Sequence, residues 1–123
     1  MREKKIKVLI TGVAGFVGFH LSKLLLDEGF LVSGYDGITD YYDVSLKESR
    51  LKILNSYSDF IFTRAMLEDA AALREAAQKF RPNVIVHLAA QAGVRYSLEN
   101  PGAYIQSNVV GTLNVMDIAK TLA

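Results

Sequence analysis

Apolar positions in this chain switch repeatedly between short continuous runs and helical spacing. Val8-Leu9-Ile10, led in by Ile6 and closed by Thr11-Gly12, predicts a strand buried on both faces. From Gly15 the spacing is helical, with Val17, Leu21, Leu24 and Leu25 on the expected inner face and Gly29 as the stop. Leu31 to Tyr35 predicts a second strand, closed by Asp36-Gly37, and Ile38 to Asp43 a loop. Ser45 and Glu48 have the S-x-x-E spacing of a capping box, and Leu46, Ile53 and Leu54 carry a helix to about Asn55. Phe60 to Arg64 is the third predicted strand. Asp69 caps an alanine-rich helix reaching about Phe80, which Arg81-Pro82-Asn83 ends. Val84 to His87 is the fourth strand. Asn100-Pro101 supplies an N-cap and a proline at the first helical position. One last helix is expected from there almost to the end, with Ile105, Val109, Thr112, Leu113, Met116 and Ala119 as a wide apolar stripe.

The order βαβαβαβα predicts an α/β fold: a parallel sheet with right-handed crossovers and helices on both faces. The expected architecture is a Rossmann-like doubly wound sheet of about four strands in order 3-2-1-4. Its switch point lies between strands one and four. At 123 residues the chain fits one domain, spanning 1–123. With 50% hydrophobic and 22% charged residues it has ordinary globular composition. A net charge of +1 gives no long-range pull toward nucleic acid or an acidic membrane, and the Arg2, Lys4, Lys5, Lys7 cluster is read as a solvated lead-in. The chain has no cysteine for a thiol nucleophile or disulfide, and only two histidines, so no metal site is expected. Both His20 and His87 are read as packed, hydrogen-bonded residues. With no apolar run near membrane-spanning length, a soluble cytoplasmic protein is expected.

Chemistry concentrates at the first turn. Gly12, Gly15 and Gly18 form G-x-x-G-x-x-G between an apolar strand and an amphipathic helix. A diphosphate can rest on the free amides of a helix start only if the backbone comes close. Gly12 suits the tight turn, Gly15 the approach of the phosphates, and Gly18 the packing of helix on sheet. Asp36, 18 residues after Gly18, ends strand two where an adenosine ribose would lie. Its carboxylate can accept from ribose hydroxyls and would repel a 2′-phosphate, so NAD is expected rather than NADP. Arg64, at the end of strand three, is either an adenine or phosphate contact or a surface arginine.

The turn Thr11-Gly12-Val13-Ala14-Gly15-Phe16-Val17-Gly18 resembles that of the extended short-chain dehydrogenase/reductases. Three further blocks are similar to the nucleotide-sugar 4-epimerases within that family. They are Asp40-Tyr41-Tyr42-Asp43 with Ser45-Leu46-Lys47, then His87 through Ser97 with Glu99-Asn100-Pro101, and lastly Tyr104, Asn108, Gly111, Thr112 and Asn114. The likeness runs furthest toward the UDP-glucuronate 4-epimerases, and covers about the first third of such an enzyme.

That resemblance implies an NAD that transiently oxidises C4 of a UDP-sugar and is regenerated in place. It implies cofactor contacts from Gly12, Gly15, Phe16, Val17 and Asp36, and from Leu88, Ala89 and Ala90 after strand four. Asn108 would support the active site through hydrogen bonds. Arg95 is a candidate for the substrate's diphosphate or uronate, with a helix-flanking surface arginine as the alternative. Two positions depart from the family's pattern: Met66 stands where an aspartate usually meets the adenine amino group, and Gly37 where asparagine is usual.

None of the six tyrosines has a lysine four positions on; Tyr96 and Tyr104 precede Asn100 and Asn108. The family's Tyr-x-x-x-Lys pair and its substrate domain would lie beyond residue 123, so the isolated chain is expected to lack a general base and to be inactive. No catalytic residue is therefore assigned. An open fourth strand and the apolar stripe of the last helix predict a homodimer or higher oligomer. Two other functions compete: a non-catalytic dinucleotide-binding module, and the N-terminal part of a nucleotide-sugar dehydratase or decarboxylase.

Overall fold

The computed structural model describes residues 5–38, 44–89 and 99–122. Residues 39–43, with the Asp40-Tyr41-Tyr42-Asp43 block, and residues 90–98, with Ala90 and Arg95, lie outside the described residues. Strands β1 (Lys7–Thr11), β2 (Leu31–Asp36), β3 (Phe60–Arg64) and β4 (Val84–His87) form one sheet in the order β3-β2-β1-β4. All pairings are parallel, as the strand–helix alternation requires, with Ile10 opposite both Gly34 and Val86.

Along β1 the side chains alternate between two layers. Val8 and Ile10 join Val13, Phe19, Leu26, Val32, Leu51, Leu54 and Phe60 in a core under α1 (Phe16–Asp27) and α2 (Val44–Asn55). Leu9 joins Tyr35, Leu67, Leu73, Ala77, Val115 and Ile118 under α3 (Ala70–Phe80) and the last helix. Asp69 caps α3 by accepting the Ala72 N–H at 3.1 Å. Arg81 ends it in the left-handed region at φ 52°, donating its N–H to the Ala77 carbonyl. Asn83 then clips the chain to β1, accepting the Lys7 N–H at 2.9 Å and donating to the Lys7 carbonyl at 2.8 Å.

The helix faces differ in part from the sequence expectation. In α1 the expected Leu21 and Leu25 pack against the core, but the fully buried residues are Gly18, Phe19, Ser22 and Leu26, and Val17 and Leu24 face outward. Gly18 and Ser22 are small enough to let the helix lie against the sheet, so close approach decides the face rather than the largest apolar side chains. In α2, Lys47, Leu51 and Leu54 are buried, and Leu46 and Ile53 are exposed. This helix begins at Val44, so Ser45 already lies in its first turn, and Glu48 reaches Arg64 at 3.3 Å.

The last helix is interrupted. Asn100 caps a short α4 (Pro101–Tyr104), accepting the Ala103 N–H at 3.2 Å; a π-helical segment, Ile105–Val110, follows, and then α5 (Gly111–Leu122). Three contacts fix the seat of α5: Gly111 against Leu67, Asn114 Nδ2 donating to the Leu67 carbonyl at 2.8 Å, and Thr112 beside His87. The cap fixes the other end, and the wide turn between takes up the mismatch, in a segment with no buried residue. Val115 and Ile118 are the inner face of α5, whereas Ile105, Val109, Leu113 and Met116 form an exposed stripe. No helix among the described residues is long and apolar enough to cross a membrane.

Candidate dinucleotide site

The site begins where β1 ends. Gly12 adopts φ 73°, a conformation natural only to glycine, and donates its N–H to the Tyr35 carbonyl at 2.8 Å. The chain turns back at once, with the Gly15 N–H donating to the Gly12 carbonyl at 3.0 Å. A Cβ at Gly18 would overlap that same carbonyl oxygen, so the helix can lie here only with glycine at this position. Gly15 is the N-cap of α1, no side chain caps the helix, and its first turn carries no acidic residue. The first amides of α1 thus present a field and donors suited to an anion. Phe16 and Val17 stand exposed at this mouth.

Asp36 is drawn into the turn. Its Oδ2 accepts the Ala14 N–H at 3.0 Å and its Oδ1 accepts the Ile38 N–H at 2.8 Å. The carboxylate is half-buried, and each oxygen keeps a lone pair for a further donor. Ile38 is held at φ 51° with its side chain buried, a rare conformation for a β-branched residue and a mark of constraint beside a site. Arg50, from α2, donates to the Ala14 carbonyl at 2.9 Å, so the Ala14 residue is gripped on both its N–H and its C=O.

On the other side of the switch point, Thr11 Oγ1 accepts the Leu88 N–H at 3.0 Å and the Ala89 N–H at 3.2 Å. It also lies 2.7 Å from His87 Nδ1, and His87 Nε2 lies 2.9 Å from Thr112 Oγ1. Burial pushes the His87 pKa down. Leu88 is exposed and Ala89 half-buried, which leaves a low wall after β4.

The structure therefore gathers Gly12, Gly15, Phe16, Val17, Gly18 and Asp36 around one turn, with Leu88 and Ala89 across the crevice. Asn108 sits in the π-helical segment, half-buried. The two departures noted in the sequence touch each other, since a Cβ at Gly37 would overlap the Met66 sulfur. Arg64 is exposed and pairs with Glu48. His20 is exposed rather than packed, its ring edge-on to Phe16 and Phe19 at 4.8 and 5.0 Å, because the inner face of α1 is turned away from it. His87 is hydrogen-bonded, as expected. The clamp from Arg50 and the Thr11–His87–Thr112 linkage were not foreseen. Each joins residues far apart in sequence, and neither leaves a local motif.

Two tyrosine phenols shift away from service as a base. Tyr35 is pushed up to about 12, by burial and then by the Asp69 and Glu68 carboxylates, and it donates to the Met66 carbonyl at 2.8 Å. Tyr57 is raised chiefly by its hydrogen bond to Asp27.

The family model described as GDP-mannose 4,6 dehydratase matches residues 9–123. A probable UDP-glucuronate 4-epimerase of Rhizobium meliloti is 58% identical over 118 residues, covering 96% of this chain and 35% of that protein. The UDP-glucuronate 4-epimerase of Thermodesulfobacterium geofontis is 44% identical over 112 residues, covering 91% of this chain and 35% of the relative. Among solved structures, the Bacillus cereus UDP-glucuronic acid 4-epimerase in complex with UDP-glucuronic acid and NAD is 32% identical with a TM-score of 0.84. That match covers 94% of this chain and 36% of the other. This chain thus spans about a third of the length of the curated relatives it matches. From Leu9, in the strand that opens the glycine turn, to the last residue of α5 and one beyond, the match is continuous, and the chain belongs to the GDP-mannose 4,6 dehydratase family.

Proposed function

We propose that residues 1–123 form the NAD-binding part of a nucleotide-sugar 4-epimerase of the UDP-glucuronate/UDP-galacturonate type. One observation carries the reading: Asp36 is hydrogen-bonded to the Ala14 amide, so a carboxylate stands at the mouth of an uncapped helix start. The residues fit NAD. The amides after Gly15 would take the diphosphate, and the remaining lone pairs of Asp36 would accept from the adenosine ribose while disfavouring a 2′-phosphate. Leu88, Ala89 and Ala90 would border the nicotinamide half, where small side chains leave room across the sheet edge. When bound, NAD supplies a reversible hydride acceptor for the sugar C4. The likeness to epimerases crystallised with NAD, including one holding UDP-glucuronic acid, supports this assignment.

On the substrate side we assign Arg95 to the diphosphate or uronate and Asn108 to hydrogen-bonded support of the active site. We assign no catalytic base to these 123 residues. No tyrosine has lysine at the fourth following position, and the two phenols whose pKa shifts both move upward. By themselves they hold the cofactor without turning substrate over. The exposed stripe of the π-helical segment and α5, with the edge strand β4, is assigned to contact with a second copy in the cytoplasm. A dehydratase is the second reading, favoured by the description of the matching family. Calorimetric titration should show NAD binding, and incubation with UDP-glucuronate and NAD should yield no UDP-galacturonate. No heat at saturating NAD would end the cofactor reading, and clear turnover would end the claim about the base. Joined to a Tyr-x-x-x-Lys-bearing remainder, epimerised product supports the first reading and loss of water from the sugar supports the second.

A further inference from the structure

We infer that His87 is a positioning residue of the crevice: held as the neutral Nε2–H tautomer between Thr11 and Thr112, it fixes the separation of the glycine turn from the Leu88–Ala89 turn. Donors and acceptors around Thr11 decide the direction of the linkage. A threonine hydroxyl has one proton and two lone pairs. The Ala89 amide, at 3.2 Å, and the Leu88 amide, at 3.0 Å and shared with the Thr11 carbonyl at 3.2 Å, occupy both lone pairs. The Thr11 proton is left for His87 Nδ1 at 2.7 Å, and that nitrogen must accept. An imidazole accepting at Nδ1 carries its proton on Nε2, which donates to Thr112 Oγ1 at 2.9 Å. An imidazolium would set an Nδ1–H against the Thr11 proton and break the linkage. The burial that lowers the His87 pKa acts in the same direction.

A steric observation shows why the spacing matters. A Cβ at Gly12 would come within 2.8 Å of the Ala89 nitrogen and 2.9 Å of the Ala89 Cα. The turns after β1 and β4 are therefore already in van der Waals contact, and the three side chains hold them there while tying both to α5. Thr11 ends β1, His87 ends β4, and Thr112 opens α5, so one hydrogen-bonded line crosses the switch point from sheet to helix. The consequence for cofactor binding rests on the dinucleotide reading above, whereas the tautomer and the spacing are properties of the chain alone.

Long-range 15N–1H correlation spectra of the labelled chain at neutral pH test this directly. We expect an unprotonated Nδ1 and a protonated Nε2 at His87. Thr112→Val should keep the Nε2–H tautomer, which Thr11 sets, but weaken NAD binding about twofold to tenfold, the worth of one hydrogen bond, and Thr112→Ser should restore the affinity. A protonated Nδ1 in the unaltered chain, or Thr112→Val with NAD affinity unchanged, overturns the inference. A chain showing the expected tautomer yet taking no NAD supports the linkage and sinks the dinucleotide reading, so the two failures are distinguishable.

Discussion

Replacing Asp36 by alanine tests the site twice, once through stability and once through cofactor choice. The carboxylate accepts two backbone N–H groups, from Ala14 at 3.0 Å and from Ile38 at 2.8 Å. Hydrogen bonds to a charged group contribute about 1.5–3 kcal/mol each, so losing both costs about 3–6 kcal/mol before relaxation. Two effects reduce that figure. Asp36 is half-buried, so water can reach at least one freed amide. Ile38 at φ 51° can also leave the left-handed region once its tether is gone, recovering about 1–2 kcal/mol. A net loss of about 2–4 kcal/mol is expected. Asp36→Asn keeps a carbonyl acceptor for one amide but turns its own N–H₂ toward the other, so it should fall between alanine and the unaltered chain. For the cofactor, on the proposed reading, alanine would remove a charge-assisted contact to the ribose and the repulsion of a 2′-phosphate. NAD should bind about tenfold or more weakly, and the preference for NAD over NADP should narrow. Urea unfolding gives the first quantity without any ligand, and calorimetric titration with each dinucleotide gives the second. An Asp36→Ala chain within about 0.5 kcal/mol of the unaltered protein would refute the clamp, because surface substitutions away from special features cost no more than that. An unchanged NAD/NADP ratio would refute the ribose assignment independently.

Three further predictions follow from neighbouring groups. Met66, a weak acceptor, should not discriminate the adenine amino group, so NAD and its hypoxanthine analogue should bind within about twofold of each other. A tenfold preference for NAD would instead point to Glu68, whose Oε2 is buried without a hydrogen-bond partner among the described residues. His87 has its folded pKa lowered below the ordinary 6.5, so the unfolded chain binds more protons between those two values. Its contribution to stability should be present in full above pH 6.5 and decline as pH falls through that window toward the folded value. His87→Gln should flatten this part of the urea-midpoint profile, and an unaltered profile would show that His87 is not buried neutral. Finally, the exposed Ile105, Val109, Leu113 and Met116 should hold a second copy of the chain. Light scattering should report a dimer or higher oligomer that Leu113→Glu with Met116→Glu disperses, and a monomer in concentrated samples would remove the prediction.

What the sequence made legible was governed by how local each signal is. Gly12, Gly15, Gly18 and Asp36 lie within 25 residues, and each meets a backbone demand that few residue types can satisfy, so their spacing alone located the turn. The sheet order followed from alternation and the handedness of crossovers, both properties of the chain's connectivity. Helix faces were harder, because α1, α2 and α5 carry more apolar residues than one face can bury. In α1 the inner face was settled by Gly18 and Ser22, whose smallness matters only against a sheet already in place. In α5 it was settled by Leu67, which lies 44 residues before Gly111 in sequence yet leaves no room for a side chain there. Long-range contacts likewise set the π-helical segment. Pro101 and the Asn100 cap fix where the helix begins, while Gly111, Thr112 and Asn114 fix where it must meet Leu67 and His87. A helix fixed at both ends has only its pitch left to adjust. It does so over Ile105–Val110, the stretch that carries Asn108 and contributes nothing to the core.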